Sequence, residues 1–257
     1  MKPTFILFPV LAVALLLANA PAHASSKDDN RIEDSARKSY VFKTYLAKDD
    51  IKIQSKDGVV TLTGSVLEES HKSLARETVA ELPGVKKVDN RLELKGDAPA
   101  ENSDLWLATK VKSTLLFHRN VNAVKTEVSV KDAVVTLRGE AASKAQKELT
   151  TEYAKDVKGV KDVMNEMTVS AAPIKKDKDE TLGEKIDDAS ITAQVKMTLL
   201  NHTSTSAVGT KVKTKNGVVT LSGKAGSAAE KELVSKLAGD VNGVKDVTNR
   251  MTVAGSK

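Results

Sequence analysis

Histidine and cysteine are the side chains that most often transfer protons or act as nucleophiles near neutral pH, and the sequence has four histidines and no cysteine. His118 and His202 each lie two residues beyond the leucine that ends a helical apolar stripe, where the first part of the chain has Lys48. We interpret these residues as positive charges that oppose the helix dipole at a C-terminus. His71 has Ala75, not a metal ligand, four residues later. The sequence therefore predicts no catalytic, cofactor-binding or metal site.

Lysines form a second distinctive group. Lys211, Lys213 and Lys215 alternate along one predicted strand, which places three ammonium groups on one sheet face, and Lys224 follows just beyond the hairpin. Residues 185–257 hold 11 Lys and Arg against 6 Asp and Glu, so the basic character is concentrated there. Two interpretations stay open. The four lysines bind an anionic phospholipid surface, which attracts each charge by about 1 kcal/mol, or they keep an edge strand from pairing with other chains.

Nucleic acid is the other partner that a formal charge of +6 suggests. Only 3% of the residues are aromatic, so platforms on which bases could stack are lacking. The repeated Gly-Val-Val-Thr-Leu-x-Gly segments lack the lysine and the serine or threonine of a phosphate-binding P-loop. We therefore expect no nucleic-acid partner.

One eight-residue segment occurs three times, as DGVVTLTG at 57–64, DAVVTLRG at 132–139 and NGVVTLSG at 216–223. The glycine that closes each copy is followed by a second glycine 20 residues later. These pairs are Gly64 and Gly84, Gly139 and Gly159, and Gly223 and Gly243. Three equal spacings indicate that a whole supersecondary unit has been triplicated, with these six glycines as its structural markers.

Apolar periodicity predicts the same elements in each unit. A first helix starts at Asp34, Asp104 or Asp188 and is followed by two alternating strands joined by a tight turn. A second helix ends at the second glycine, and a third strand follows it. The predicted fold class is α+β, with three tandem α-β-β-α-β units. Each unit is a small mixed three-stranded sheet with two helices on one face.

The first two units differ from the third in detail. Asn216-Gly217 and Asp57-Gly58 suit a tight hairpin turn with positive φ angles, whereas Asp132-Ala133 does not. In the first unit Arg37 occupies a helix position that is apolar in the other two, and the distance from that helix to the turn is five residues shorter. We therefore expect the first unit to lack five residues of connecting loop.

The N-terminal segment has the pattern of a secretory signal peptide over residues 1–24, with Lys2, an apolar run and a small-residue end at Ala22-His23-Ala24. We expect cleavage after Ala24 and export to a bacterial periplasm, with a retained membrane anchor as the alternative. No other apolar run approaches the ~20 residues that span a bilayer. Because there is no cysteine, a lipoprotein is excluded.

The 233 residues after this segment suit three domains of ~70 residues each. The predicted domains are 27–96, 103–171 and 186–255, and the predicted linkers are 97–102 and 172–185. Both linkers are polar and contain an Ala-Pro step. Such segments bury too little apolar surface to order firmly, so we expect the three units to move relative to one another.

A shared pattern closes each unit, as GVKKVDNRLEL at 84–94, GVKDVMNEMTV at 159–169 and GVKDVTNRMTV at 243–253. Together with the D…V…L helix and the GVVTLxG strand, this pattern resembles the BON domain of bacterial envelope proteins. The resemblance covers nearly all of the chain after residue 24, with three units where two are typical. The asparagines of the pattern share the strand phase of the apolar residues, so we expect Asn90, Asn165 and Asn249 to satisfy buried backbone groups.

The resemblance implies association with phospholipid membranes, induction under osmotic stress and chaperone-like help to exported proteins. We therefore expect a non-enzymatic periplasmic stress protein that binds an anionic phospholipid surface. The alternative is a periplasmic holdase for exported client proteins. Lipid binding through lysines predicts loss of binding at high salt, whereas a holdase suppresses client aggregation regardless of lipid charge.

Overall fold

A computed structural model of the chain describes residues 22–96, 100, 103–170, 186–205 and 209–254. The predicted signal peptide up to residue 21 and nearly all of both predicted linkers lie outside the described residues. The elements of the first unit are α1 (Ala22–Lys38), α2 (Tyr40–Thr44), β1 (Asp50–Lys56), β2 (Val59–Val66), α3 (Glu69–Ala80) and β3 (Lys87–Leu94).

The second and third units have matching elements. The second contains α4 (Asp104–Phe117), a 3-10 turn (Ala123–Lys125), β4 (Thr126–Lys131), β5 (Val134–Ala141), α5 (Lys144–Lys155), β6 (Asp162–Asn165) and β7 (Thr168–Val169). The third contains α6 (Asp188–Asn201), β8 (Thr210–Lys215), β9 (Val218–Ala225), α7 (Ala228–Gly239), β10 (Asp246–Asn249) and β11 (Thr252–Val253).

Each unit forms one mixed sheet whose central strand is the second strand of the hairpin. In the first unit β2 pairs antiparallel with β1 and parallel with β3. The other two units repeat this order, but their third strand is interrupted, so β6 and β7 both pair with β5, and β10 and β11 both pair with β9. The predicted α+β class and unit topology are confirmed.

An aspartate of the first helix binds the hairpin turn in every unit. Its carboxylate accepts hydrogen bonds from the two turn N–H groups, 28 and 29 residues later, over 2.7 to 3.0 Å; these aspartates are Asp29, Asp104 and Asp188. The equivalence of Asp34 with the other two is therefore wrong. Because the spacing is the same in all units, the first unit lacks no loop residues, and Ile32 rather than Arg37 occupies the apolar helix position.

The hairpin turns of the three units share one backbone conformation. Asn216 and Gly217 have φ angles of 53° and 81°, which confirms the positive φ predicted for Gly217. Asp132 and Ala133 have φ angles of 55° and 65°, so the prediction that this turn differs is wrong. Ala133 adopts the left-handed region that alanine normally avoids. The carboxylate of Asp104 holds it there through the backbone N–H.

The repeated asparagines connect the third strand to the second helix. Asn165 donates from Nδ2 to the Lys147 carbonyl at 2.9 Å and to Thr151 Oγ1 at 2.7 Å, and its Oδ1 accepts from the Met167 N–H at 3.0 Å. Asn249 makes the same three bonds in its unit, and Asn90 makes the first and last of them. The expectation that these side chains satisfy backbone groups is confirmed.

Helix α6 is buried on opposite sides, which joins two of the units. The core of the third unit, to which α6 belongs, contains Ile191, Val195 and Leu199. The core of the first unit contains Ala189, Ala193 and Met197 from the opposite side of the same helix. Lys196 adds ion pairs to Glu77 and Glu81 of α3, at 3.1 and 2.6 Å. The expectation that the units move independently is therefore wrong for the first and third units, because they share a core.

Candidate lipid-binding surface

The four lysines that the sequence singles out lie on the solvent-facing side of the third sheet. Along β8, Lys211, Lys213 and Lys215 are exposed, while Val212 between them is only 4% exposed. In the register of the hairpin, Lys211 lies opposite Ser222, so Lys224, two residues further along β9, is its diagonal neighbour on the same face. The alternation predicted from the sequence thus places all four ammonium groups on one surface.

Strand β8 is also an edge strand, because β9 is its only partner among the strands of the described residues. Lysines on an edge discourage pairing with a second chain. An exposed edge strand fits both lipid binding and protection against strand pairing. The charges around the lysines can distinguish these two roles.

None of the four lysines has a carboxylate within 4.0 Å in the described part of the chain. The other two sheets differ in this respect. Arg138 pairs with Glu166 at 2.8 Å on the second sheet, and Arg91 pairs with Asp89 at 2.6 Å on the first. The cations of the third sheet therefore face solvent without local compensation.

The solvent-facing sides of the three sheets carry different charge. The third has five basic residues and one acidic residue, namely Lys211, Lys213, Lys215, Lys224, Arg250 and Asp246, for a net charge of +4. The second has two basic and four acidic residues, namely Lys131, Arg138, Glu127, Glu140, Asp162 and Glu166, for a net charge of −2. The first has four basic and three acidic residues, namely Lys52, Lys56, Lys87, Arg91, Asp50, Asp89 and Glu93, for a net charge of +1.

The marker glycines lie where a side chain would collide with backbone. Gly64, Gly139 and Gly223 have φ angles between 109° and 126°. A Cβ on any of them would lie 1.9 to 2.0 Å from a carbonyl oxygen of the preceding strand or loop. The second glycines Gly84, Gly159 and Gly243, after the second helices, also have positive φ. Each unit thus has two glycines that shape its backbone, and in the third unit, whose sheet carries the lysines, these are Gly223 and Gly243.

The histidines do not have the environment that the sequence suggests. His118 is 2% exposed and stacks on the ring of Tyr153, with 3.7 Å between ring centroids. Burial lowers the pKa of His118 to about 4, so this side chain is neutral at neutral pH. The helix-dipole interpretation is therefore wrong for His118. Because Asp29 is the equivalent of Asp104, the residue of the first unit that corresponds to His118 is Lys43, not Lys48.

His71 contacts a carboxylate in the first unit. Its Nδ1 lies 2.7 Å from Asp49 Oδ2, and Asp49 Oδ1 accepts from the Leu67 N–H at 2.7 Å. The described residues contain no group of three or more histidine, aspartate or glutamate side chains that could hold a metal ion. Over the same residues, no helix is long and apolar enough to cross a membrane.

Comparison with protein families gives a match to the BON domain over residues 28–96, 103–171 and 187–255. The chain therefore belongs to the BON-domain family. It is 30% identical over 187 residues to osmotically-inducible protein Y of Escherichia coli (strain K12), a match that covers 73% of this chain and 87% of that protein.

Two further similarities were found. The chain is 31% identical over 155 residues to an uncharacterized protein in the gshII 5′ region of Anaplasma centrale, covering 60% of this chain and 97% of that one. CdsD, a structural protein of the type III secretion system of Chlamydia trachomatis, aligns over 89% of this chain and 92% of its own, with 14% identity and a TM-score of 0.24.

Proposed function

We propose that this chain is a non-enzymatic osmotic-stress protein of the periplasm whose third unit binds anionic phospholipid surfaces. The similarity to osmotically-inducible protein Y supports the stress role, and the signal-peptide pattern of residues 1–24 supports export. The observation that carries the lipid proposal is the uncompensated net charge of +4 on the third sheet.

The physical basis is long-range attraction to a negative surface. Each basic side chain near such a surface contributes about 1 kcal/mol. On the third sheet no intramolecular ion pair competes with this attraction among the residues that the structure describes. Since the second sheet presents net negative charge, we propose that the third sheet faces the membrane and that the second faces away from it.

A chaperone role for exported proteins is the alternative. A holdase needs exposed apolar surface on which clients can bind. Exposed apolar side chains do occur, but they belong to different elements, as Leu105, Val124 and Leu200 illustrate at 67%, 89% and 53% exposure. The charge asymmetry is the stronger support, and it favours the lipid surface.

Co-sedimentation with vesicles tests the proposal. The quadruple variant Lys211→Gln, Lys213→Gln, Lys215→Gln and Lys224→Gln keeps the strands and removes four charges, up to about 4 kcal/mol of attraction before screening. At low salt it should bind vesicles with 30% anionic lipid much less than the parent protein does, and the difference should vanish above ~0.5 M salt.

A matched control removes four lysines from the other two sheets. Lys52, Lys56, Lys87 and Lys131 are exposed and are changed to glutamine together. This control should bind like the parent if the third sheet is the contact surface. Equal loss in both variants would mean that only overall charge matters, and no loss in the first variant would make its lysines an edge guard. Suppression of client aggregation without lipid binding would favour the chaperone alternative.

A further inference from the structure

The second and third units are joined by two backbone pairings that repeat each other. At the first, the Arg119 N–H donates to the Asp240 carbonyl at 3.1 Å, and the Asn242 N–H donates to the Phe117 carbonyl at 2.9 Å. His118 lies between these bonds, opposite Val241. The end of α4 is thereby connected to the segment that follows α7.

The second pairing uses the equivalent residues with the units exchanged. The Thr203 N–H donates to the Asp156 carbonyl at 2.9 Å, and the Lys158 N–H donates to the Asn201 carbonyl at 2.8 Å. His202 lies opposite Val157. We call the two pairings together the histidine joint. The first unit has Pro83 at the position of Lys158 and Asn242, and proline has no N–H to donate, so it cannot pair in this way.

The joint buries two imidazole rings and leaves three of their four nitrogens without a hydrogen-bond partner among the described residues. Both ring nitrogens of His118 lack a hydrogen-bond partner among the described residues, as does Nε2 of His202. His202 Nδ1 accepts from the Ser204 N–H at 3.0 Å. The Thr198 hydroxyl, in the same small cavity, is also without a partner. Unpartnered buried polar groups cost free energy, so the joint is held closed against this cost.

Charged groups around His118 have opposing effects on a proton there. Asp240, whose carboxylate accepts from the Tyr153 hydroxyl at 2.9 Å, attracts a proton electrostatically, and Asp156 lies 3.5 Å from His202 Nε2. Arg119 extends its guanidinium to the carbonyls of Gly239, Val241 and Val244. The second imidazole, His202, disfavours a charge on His118. Burial has the largest effect, and it keeps His118 neutral when the joint is closed.

We propose that the histidine joint is acid-labile, so that the second and third units separate there when the buried His118 takes up a proton. In the open state, water would solvate the charged ring of His118 and the four backbone groups of each pairing. This device does not depend on lipid binding.

The direction of the pH effect follows from proton linkage. The pKa of His118 is lowered to about 4 in the closed joint, while an exposed imidazole titrates near 6.5. Below pH 6.5 the open state therefore binds more protons than the closed state. The opening equilibrium should rise by up to about tenfold for each pH unit between 6.5 and 4, and it should level off below that window.

Amide hydrogen exchange tests the proposal on the whole protein. The four N–H groups of the joint, those of Arg119, Lys158, Thr203 and Asn242, are followed by NMR between pH 6.5 and 4. After correction for intrinsic exchange rates, their protection should fall as the pH falls. The double variant His118→Phe, His202→Phe keeps rings at both positions but cannot take up protons, so its protection should not depend on pH.

The matched control is His71→Gln, which changes the histidine of the first unit and should keep the pH dependence of the parent. Protection in the parent that does not change with pH, or a pH dependence that persists in the double variant, would overturn the proposal. If the double variant does not fold, titration of the His118 ring in the parent decides. A midpoint near 6.5 with unchanged amide protection would reject the proposal, whereas a midpoint well below 6.5 that coincides with loss of protection would support it.

Discussion

The carboxylate of Asp188, in the first turn of α6, accepts a hydrogen bond of 2.8 Å from the backbone N–H of Gly217, 29 residues later. The same carboxylate also accepts from the adjacent turn N–H at 2.7 Å. Each unit repeats this contact, so its first helix is fixed to the tip of its hairpin. The sheet that carries the lysines is positioned on the helices partly in this way.

Replacing Asp188 by alanine should destabilise the third unit. Two backbone N–H groups lose a charged acceptor, and a hydrogen bond to a charged group is worth roughly 1.5–3 kcal/mol. We expect the free energy of unfolding to fall by about 2 kcal/mol in urea titrations. Asp246→Ala, at an exposed position of the same unit, is the control and should change stability by less than about 0.5 kcal/mol.

The equivalent aspartate of the second unit should produce a pH-dependent stability. Hydrogen bonds from the Ala133 and Asp132 N–H groups lower the pKa of Asp104 below its usual 3.8. The stabilisation is therefore present above pH 3.8 and is lost as the pH falls through the lower folded value. Asp104→Asn should lower the melting temperature at pH 6, and the difference from the parent should shrink below pH 3. A difference that stays constant with pH would contradict this account.

The hairpin turns allow opposite substitutions to be compared. Ala133 has a φ of 65°, a conformation that costs roughly 1–2 kcal/mol for a residue other than glycine. Ala133→Gly should therefore raise the free energy of unfolding by about 0.5–1 kcal/mol, since glycine also loses more entropy on folding. Gly217→Val should lower it by more than about 1 kcal/mol. Changes of the same sign in both variants would rule out a common turn conformation.

The shared core of the first and third units predicts a long-range effect of a substitution in α6. Ala193 is fully buried in the core of the first unit, although it belongs to the third. Ala193→Glu places an unpaired charge there, so we expect a loss of more than about 3 kcal/mol and proteolytic cleavage within the first unit. Leu200→Glu, on the same helix but 53% exposed, is the control. Normal resistance of the first unit to proteolysis in Ala193→Glu would mean that the core is not shared.

Local patterns in the sequence were enough to predict the triplicated unit, its mixed sheet and the face on which Lys211, Lys213 and Lys215 lie. A strand repeats every two residues, so alternation by itself determines which side chains share a face. Equal spacings between the marker glycines likewise predicted that the unit occurs three times. The prediction is wrong at the first helix, because the break at Ser39 interrupts its apolar stripe. The pattern therefore indicates Asp34 as the equivalent of Asp104 and Asp188, whereas Asp29, inside α1, binds the hairpin turn.

Only the tertiary structure decided what covers each apolar surface. The apolar stripe of α6 predicts one buried side. The same helix also has Ala189, Ala193 and Met197 on the opposite side, and these residues are buried in the core of the first unit. The burial of His118 has no local signal, because the residues that enclose it, such as Tyr153 and Val241, come from another helix and another unit. Periodicity reports which side of an element avoids water, whereas the partner that excludes the water is chosen by packing between distant segments.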